Sequence, residues 1–573
     1  MFQLFIKGMM VLCKELNTCK VCVNVHFWSI CMGFFGVLTF SGIQAQETPE
    51  FEVSFSPRHA VKMAEAKHDF NIGNLRGALT LFREILDEVP ASPKVELWIA
   101  RCHLALRRED LAIAYLDSLK VHDMDMANSA LKLRGEVLHR LGRYEEAIDV
   151  LENFLDFGNP SDVDLEIASH WIAECRRAWN AREKGVAADA DVTFDHMGGA
   201  INSRFDEYAP AWSPDGSSLI FTSRRDAGLN PEIDVEGDHQ FYSDIYRSER
   251  SSEPGGWSRA QLLEGEINTM GFDAVLSWPA ADEGGTVLVY RNNNQLAGDI
   301  CVSNQMEDQT WSDAVPLSRP INSSYFEGSA SISADGEWLY FISERPEGMG
   351  RGDIYRSQRR GSNWSVPQPL GAPVNTMEDE KFVHAHGDGR VIYFASRGHA
   401  GFGDYDMYRT EWVDGGWCIP VNLGLPINSP REESTFALDV TGNRLVMTAE
   451  RPEGYGARDL YMLDVSRHPW FGQRANERWA GVVTVMLDLE ALPKTKPDKC
   501  TVQVWDAGAR TLLQEVLVSR QSQAKLRLPS NSSFVIRAMA QGRIIAEDFF
   551  ERQQDVPGSF ASVMSLKCHG PAD

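Results

Sequence analysis

The sequence predicts a multidomain α + β chain: an N-terminal α-solenoid, a central five-bladed β-propeller and a small C-terminal β-sandwich. Three observations carry this. Residues 201–470 hold five copies of one unit, opened by Ile201-Asn202, Ile267-Asn268, Ile321-Asn322, Val374-Asn375 and Ile427-Asn428. Ahead of them, small residues recur at a helical-repeat interval; behind them lie short alternating strands broken by turn residues. A period near 50 residues built from short strands is the mark of four-stranded propeller blades.

Residues 1–46 begin with Lys7, Lys14 and Lys20, run apolar from Cys31 to Ile43 and end on small or polar residues. This pattern is expected of a secretory signal cleaved near Ala45, or of an N-terminal anchor if the stretch is retained. No later segment has the eighteen or so apolar residues a membrane-spanning helix needs. The mature chain is therefore expected in the periplasm, soluble or associated with the outer membrane.

Residues 57–182 follow a helical period. Ala66 and Ala78 are followed 34 residues later by Ala100 and Ala112, and Gly135 and Ala147 repeat the interval with one extra residue. Small residues are needed where paired helices cross, Phe82, Leu116 and Leu151 fill the grooves between pairs, and Pro90 ends a helix. Over three repeats this resembles the tetratricopeptide family. Leu165, Ala168, Trp171, Ile172 and Cys175 share one face of a capping helix over 161–182. The resemblance implies a surface for a peptide or helix.

In the propeller, assigned to 191–470, an acid stands five residues after each unit's Asn: Glu207, Asp273, Glu327, Glu380 and Glu433. Acid-apolar pairs start at Asp244, Asp299, Asp353, Asp406 and Asp459, and Trp257, Trp311, Trp364 and Trp417 each lie eleven residues before the next Asn. In the third unit Ser329–Ser333, Trp338–Ile342, Asp353–Arg356 and Trp364–Leu370 read as four strands, with Asp335-Gly336 supplying the hairpin turn. Asp191–Met197 occupies an outer-strand position with no blade before it, so it is expected to complete the fifth blade and remove exposed sheet edges. A six-bladed ring is the alternative. Residues 479–570 show six strand patterns, Ala480–Leu487, Cys500–Trp505, Thr511–Val518, Ala524–Leu528, Ser533–Ala538 and Ile544–Phe549, spaced as in a small sandwich. Their order, G-x-V, V-x-V-x-D and L-x-L-P, resembles the carboxypeptidase-regulatory-like module, which is not catalytic.

A formal charge of −25 opposes nucleic-acid binding, which needs Lys and Arg against phosphate. Six cysteines beyond the first 31 residues are scattered, giving neither a disulfide framework nor a zinc knuckle. Cys500 and Cys568 either pair or remain free buried thiols. Neither G-x-S-x-G nor H-E-x-x-H occurs, so no enzyme and no cofactor is expected. His384 and His386 alternate on a strand with Asp388 beyond, which makes them candidate metal ligands or hydrogen-bonded inner-strand residues. The five repeated acids are candidate binding residues for a cation or basic ligand. Ser223, Ser343, Ser396 and Ala449 lie sixteen residues on, with Arg224, Arg345, Arg397 and Arg451 close by, so the alternative is that the acids lock blade to blade.

Units of the form I-N-x-x-x-x-E followed by S-x-D-G, Y-F-x-S and D-I-Y, behind tetratricopeptide repeats and a signal, resemble periplasmic envelope proteins with a TolB-type (WD-like) propeller. The peptidoglycan-associated component of the type IX secretion and gliding apparatus is of this kind. That component carries an OmpA-like domain after its regulatory-like module, which is not found before Asp573. The resemblance implies a non-enzymatic scaffold for envelope or secretion-system proteins, reaching peptidoglycan only through a partner. A carbohydrate- or muropeptide-binding propeller is the second reading, and a hydrolase the third.

Overall fold

The computed structural model describes residues 56–568 apart from 121–123, 159, 184–191, 235–238, 253–255, 280–284, 293–296, 469, 472–479, 489–499, 508–511, 519–522, 530–531, 541 and 552–560. The expected signal, residue 191 of the closing strand and the joint after Phe471 lie outside the described residues.

Among the described residues seven helices come first: α1 (Pro57–Asn71), α2 (Leu75–Glu88), α3 (Pro93–Ala105), α4 (Glu109–Ser118), α5 (Met124–Arg140), α6 (Tyr144–Phe157) and α7 (Asp162–Glu183). Ser56 caps α1 by accepting the His59 N–H, and Asn74 caps α2 by accepting that of Gly77, each satisfying a first-turn donor the helix leaves open. The paired small residues Ala66, Ala78, Ala100, Ala112 and Ala147 are fully buried, as are Phe82 and Leu151. Gly135 shows why smallness is required: a Cβ there would collide with the Leu151 side chain. On α7, Ala168, Ile172 and Cys175 face inward, whereas Leu165 stays exposed.

Among the described residues five antiparallel sheets follow, each with one of the repeated acids at the first or second position of its innermost strand. They are β2 (Glu207–Trp212) to β5 (Gln261–Leu262), β6 (Phe272–Ser277) to β9 (Val315–Pro316), β10 (Glu327–Ile332) to β14 (Gln368–Pro369), β15 (Glu380–His386) to β19 (Val421–Asn422), and β20 (Glu433–Leu438) to β22 (Asp459–Asp464). The third unit's outer edge is two short pieces, β13 (Asn363–Trp364) and β14, both paired with β12 (Asp353–Arg360). The early strand β1 (Phe194–His196) pairs with β22, Phe194 opposite Leu463 and His196 opposite Tyr461. First and last sheets also meet directly: Ala209 N–H donates to Thr435 Oγ1 and Trp212 Nε1–H to the Ala437 carbonyl. The arrangement is propeller-like. Trp257, Trp311 and Trp417 are buried, packing between strands.

The C-terminal region forms two sheets, one of order β26 (Gln523–Pro529), β23 (Ala480–Asp488), β29 (Ala561–Lys567), the other β25 (Leu512–Leu517), β24 (Cys500–Asp506), β27 (Phe534–Ala540), β28 (Arg543–Phe550). Val483, Val502, Leu526 and Ile536 share one buried core between them. Strand β29, parallel to β23, was not among the six strand patterns; its burial alternates only weakly. Cys500 and Cys568 are free thiols in this core. Arg527 fastens the region to the fourth sheet by donating to the Val413 and Asp414 carbonyls. Among the described residues no helix is long and apolar enough to cross a membrane.

Candidate functional site

Glu207, Asp273, Glu327, Glu380 and Glu433 sit at the first position of the innermost strands or beside it, and none is more than 1% exposed. Each is taken up by its own unit. The loop from the unit's Asn turns so that the next residue, Ser or Thr, gives both its N–H and its hydroxyl to the carboxylate: Ser203 to Glu207 (2.7 and 2.7 Å), Thr269 to Asp273 (2.6 and 2.7 Å), Ser429 to Glu433 (2.8 and 2.6 Å). The serine sixteen residues on adds a third bond, from Ser223 to Glu207 (2.6 Å), Ser343 to Glu327 (3.0 Å) and Ser396 to Glu380 (2.8 Å).

Eighteen residues after the acid comes an arginine in four units. Arg225, Arg291, Arg345 and Arg451 pair with Glu207, Asp273, Glu327 and Glu433 at 3.0, 2.7, 3.2 and 2.8 Å. Each also donates to the carbonyl of the Ile that opens its unit. This corrects the expected set: Arg225 rather than Arg224 is the partner in the first unit, and Arg397 lies 3.6 Å from Asp404. The fourth unit has Gly398 at the arginine position, where any Cβ would strike Thr376, and His399 Nε2 donates instead to the Val374 carbonyl, 2.8 Å. Glu380 is thus left without a guanidinium. Burial pushes its carboxyl up to about 8. Glu433, more deeply buried but beside Arg451, is raised to about 7.

The locking between sheets falls to the asparagines rather than to the acids' side chains. Asn268, Asn322, Asn375 and Asn428 each accept the N–H and bind the carbonyl of one residue on the preceding sheet's third strand: Ile245, Ile300, Ile354 and Met407. Asn202 does the same with Leu460 of the last sheet, at 2.8 and 2.9 Å. The side-chain amide reproduces a backbone pair, which is why Asn recurs there. The second acids are buried behind these contacts. Asp244 accepts the Leu229 N–H, and burial raises it to about 7. Asp406 accepts that of Phe402 and is raised well above the ordinary carboxylate range by burial and by Glu433.

The five innermost strands surround a cavity of about 320 Å³ whose lining includes Trp212, Trp278, Phe382, His384, His386 and Phe436. Both histidines face it, as their spacing requires. His384 lies 5.6 Å from the Phe436 ring and 6.3 Å from Tyr393, and burial drives it down to about 3, so it is neutral. Asp388 turns away to Arg390, 3.2 Å, so it does not join the two imidazoles.

A fourth cluster carried no sequence signal. Arg431, at the mouth of the last sheet, pairs with Glu109 of α4 and with Glu450, both at 3.0 Å, and Arg107 pairs with Glu450 as well. All but Arg107 are over nine-tenths buried. Arg107 also donates to the Ala457 carbonyl, Arg177 to that of Gly401 and His139 to that of Phe402, while the Phe402 ring enters the helical core. The solenoid is thereby fixed to the fourth and fifth sheets. These partners lie hundreds of residues apart in sequence, and no local pattern announces them.

Two tetratricopeptide-repeat family models match residues 73–125 and 117–162. The chain contains these repeats. No curated protein matches. Among solved structures the chain is similar to the P58(IPK) TPR domain, at 22% identity and TM-score 0.21 over 23% of this chain, and it spans only 36% of that one. It is also similar to the α-L-arabinofuranosidase PaAbf62A from Podospora anserina in complex with cellotriose, at 11% identity and TM-score 0.31, covering 47% of this chain and 96% of that one. A third is an exo-β-1,3-galactanase from Phanerochaete chrysosporium, at 11% identity and TM-score 0.30, covering 62% and 98%.

Proposed function

We propose that this chain is a non-enzymatic scaffold of the bacterial cell envelope, exported to the periplasm, that holds protein partners on its solenoid and on a closed five-bladed ring of the TolB type. The carrying observation is the buried Arg431–Glu109–Glu450–Arg107 cluster. A buried ion network is costly unless its geometry is held, and removing one member strands the others, so it makes a helical binding module and a β-disc move as one body. The repeated acids support the same reading, since each is held by hydroxyl and backbone donors of its own unit, in four units also by an arginine, and so serves the fold. The C-terminal sheets, read as a regulatory-like sandwich, add a third module fastened through Arg527.

Affinity purification from crosslinked envelopes of the native host tests this. Stoichiometric recovery of envelope or secretion-system proteins is expected; turnover of a glycan or peptide by the purified chain overturns it. A second reading rests on the central cavity, whose Trp278, Phe382 and Phe436 beside neutral His384 suit stacking on a sugar ring. It predicts a rise in melting temperature with muropeptides in the absence of any partner.

A further inference from the structure

We propose that the solenoid face formed by α1 and α3 binds an acidic protein segment, one carrying several neighbouring Asp or Glu side chains. This rests on the scaffold reading and names the chemistry of one partner. Trp98 of α3 is half-buried, with Phe82 stacked against it at 5.6 Å and Phe70 edge-on at 5.4 Å. Above the same indole lie two cations, Lys67 of α1 with Nζ 5.1 Å from the ring centroid and Arg101 of α3 with its guanidinium carbon at 4.8 Å. Lys94 is near enough to repel Lys67, which burial, then Lys94 and Arg101, hold below the ordinary lysine range.

Several other bases of the solenoid are paired: Lys62 with Glu84 and Glu88, Lys132 with Asp164, Arg176 with Glu152. Among the described residues Lys67, Lys94 and Arg101 form no ion pair, and Glu136 is the one carboxylate that acts on Arg101. Two cations held over one ring, with Lys94 close to the first, are unfavourable to one another unless an external anion joins them. The indole fixes two of them in place, so little side-chain ordering remains to oppose binding.

The test uses the full chain and a fluorescein-labelled, C-terminally amidated octa-glutamate, read by anisotropy at about 0.05 M and about 0.2 M salt, across which screening grows. Binding at low salt that weakens at high salt is expected. K67Q/R101Q should lose about tenfold or more in affinity, K67R should retain it, and R204Q, in the loop ahead of β2 beside Asp226, should change nothing. Unaltered circular dichroism of the double variant separates lost binding from lost folding. The proposal is overturned if octa-glutamate does not bind, if K67Q/R101Q binds it as wild type does, or if an oligonucleotide of equal charge binds more tightly. Should octa-glutamate fail while the chain still captures envelope proteins, this inference falls and the scaffold reading stands. Capture failing while octa-glutamate binds at these residues gives the reverse.

Discussion

Glu380→Gln isolates the one inner-strand acid that has no arginine. In the native chain its carboxyl keeps a proton up to about pH 8, against an ordinary 4.5. The unfolded chain releases that proton near the ordinary value. Between the two the native state holds one more proton than the unfolded state, so stability falls as pH rises, by about 1.4 kcal/mol per pH unit. From pH 5.5 to 7.5 Glu380 alone should therefore cost about 2–3 kcal/mol. Gln keeps the volume and cannot titrate. It presents an amide NH₂ toward the donors Thr376 N–H, Thr376 Oγ1 and Ser396 Oγ, which costs about 1 kcal/mol at every pH. Urea midpoints followed by tryptophan fluorescence from pH 5.5 to 8 should show E380Q slightly less stable than wild type at the acidic end and more stable at the alkaline end. Asp244 and Glu433, both raised to about 7, steepen the two curves equally and cancel in the difference. Parallel curves would refute the claim that an absent guanidinium leaves this carboxyl protonated.

Asn202→Ala should cost about 2–4 kcal/mol, as should Asn268→Ala, because each removes a buried amide bonded to both polar groups of a neighbouring strand residue. A much smaller loss for Asn202 in thermal melts would mean that the first and last sheets are not coupled like the others. Arg431→Ala leaves Glu109 and Glu450 buried with less compensation and should destabilise the solenoid's seating by about 3–5 kcal/mol. Limited proteolysis should then release a helical fragment ending before Phe194, and an unchanged digestion pattern would argue against the seating. Gly135→Ala should lower the melting temperature through a cost of about 1–3 kcal/mol, since its methyl group meets Leu151; differential scanning calorimetry checks this.

The sequence alone determined whatever repeats or alternates. Ala66, Ala78, Ala100 and Ala112 marked the helix pairs because a close crossing tolerates nothing larger, and the five Asn-x-x-x-x-acid units marked the sheets because each unit solves the same packing problem again. Strand β29 escaped notice because one face of it is exposed and its pattern is faint. What the asparagines do was hidden, since their partners, such as Leu460 for Asn202, belong to another sheet. The arginine eighteen residues after each acid was legible in principle, by counting along the loop, and so was its replacement by Gly398 and His399 in the fourth unit. Only the tertiary structure decided which groups meet without any shared period. It brought Arg431 to Glu109 and Glu450, set Lys67 and Arg101 over Trp98, and turned Asp388 from the histidines to Arg390. Spacing within a chain fixes which side chains share a face of one element, but contacts between elements depend on how whole surfaces pack, and no local interval records that.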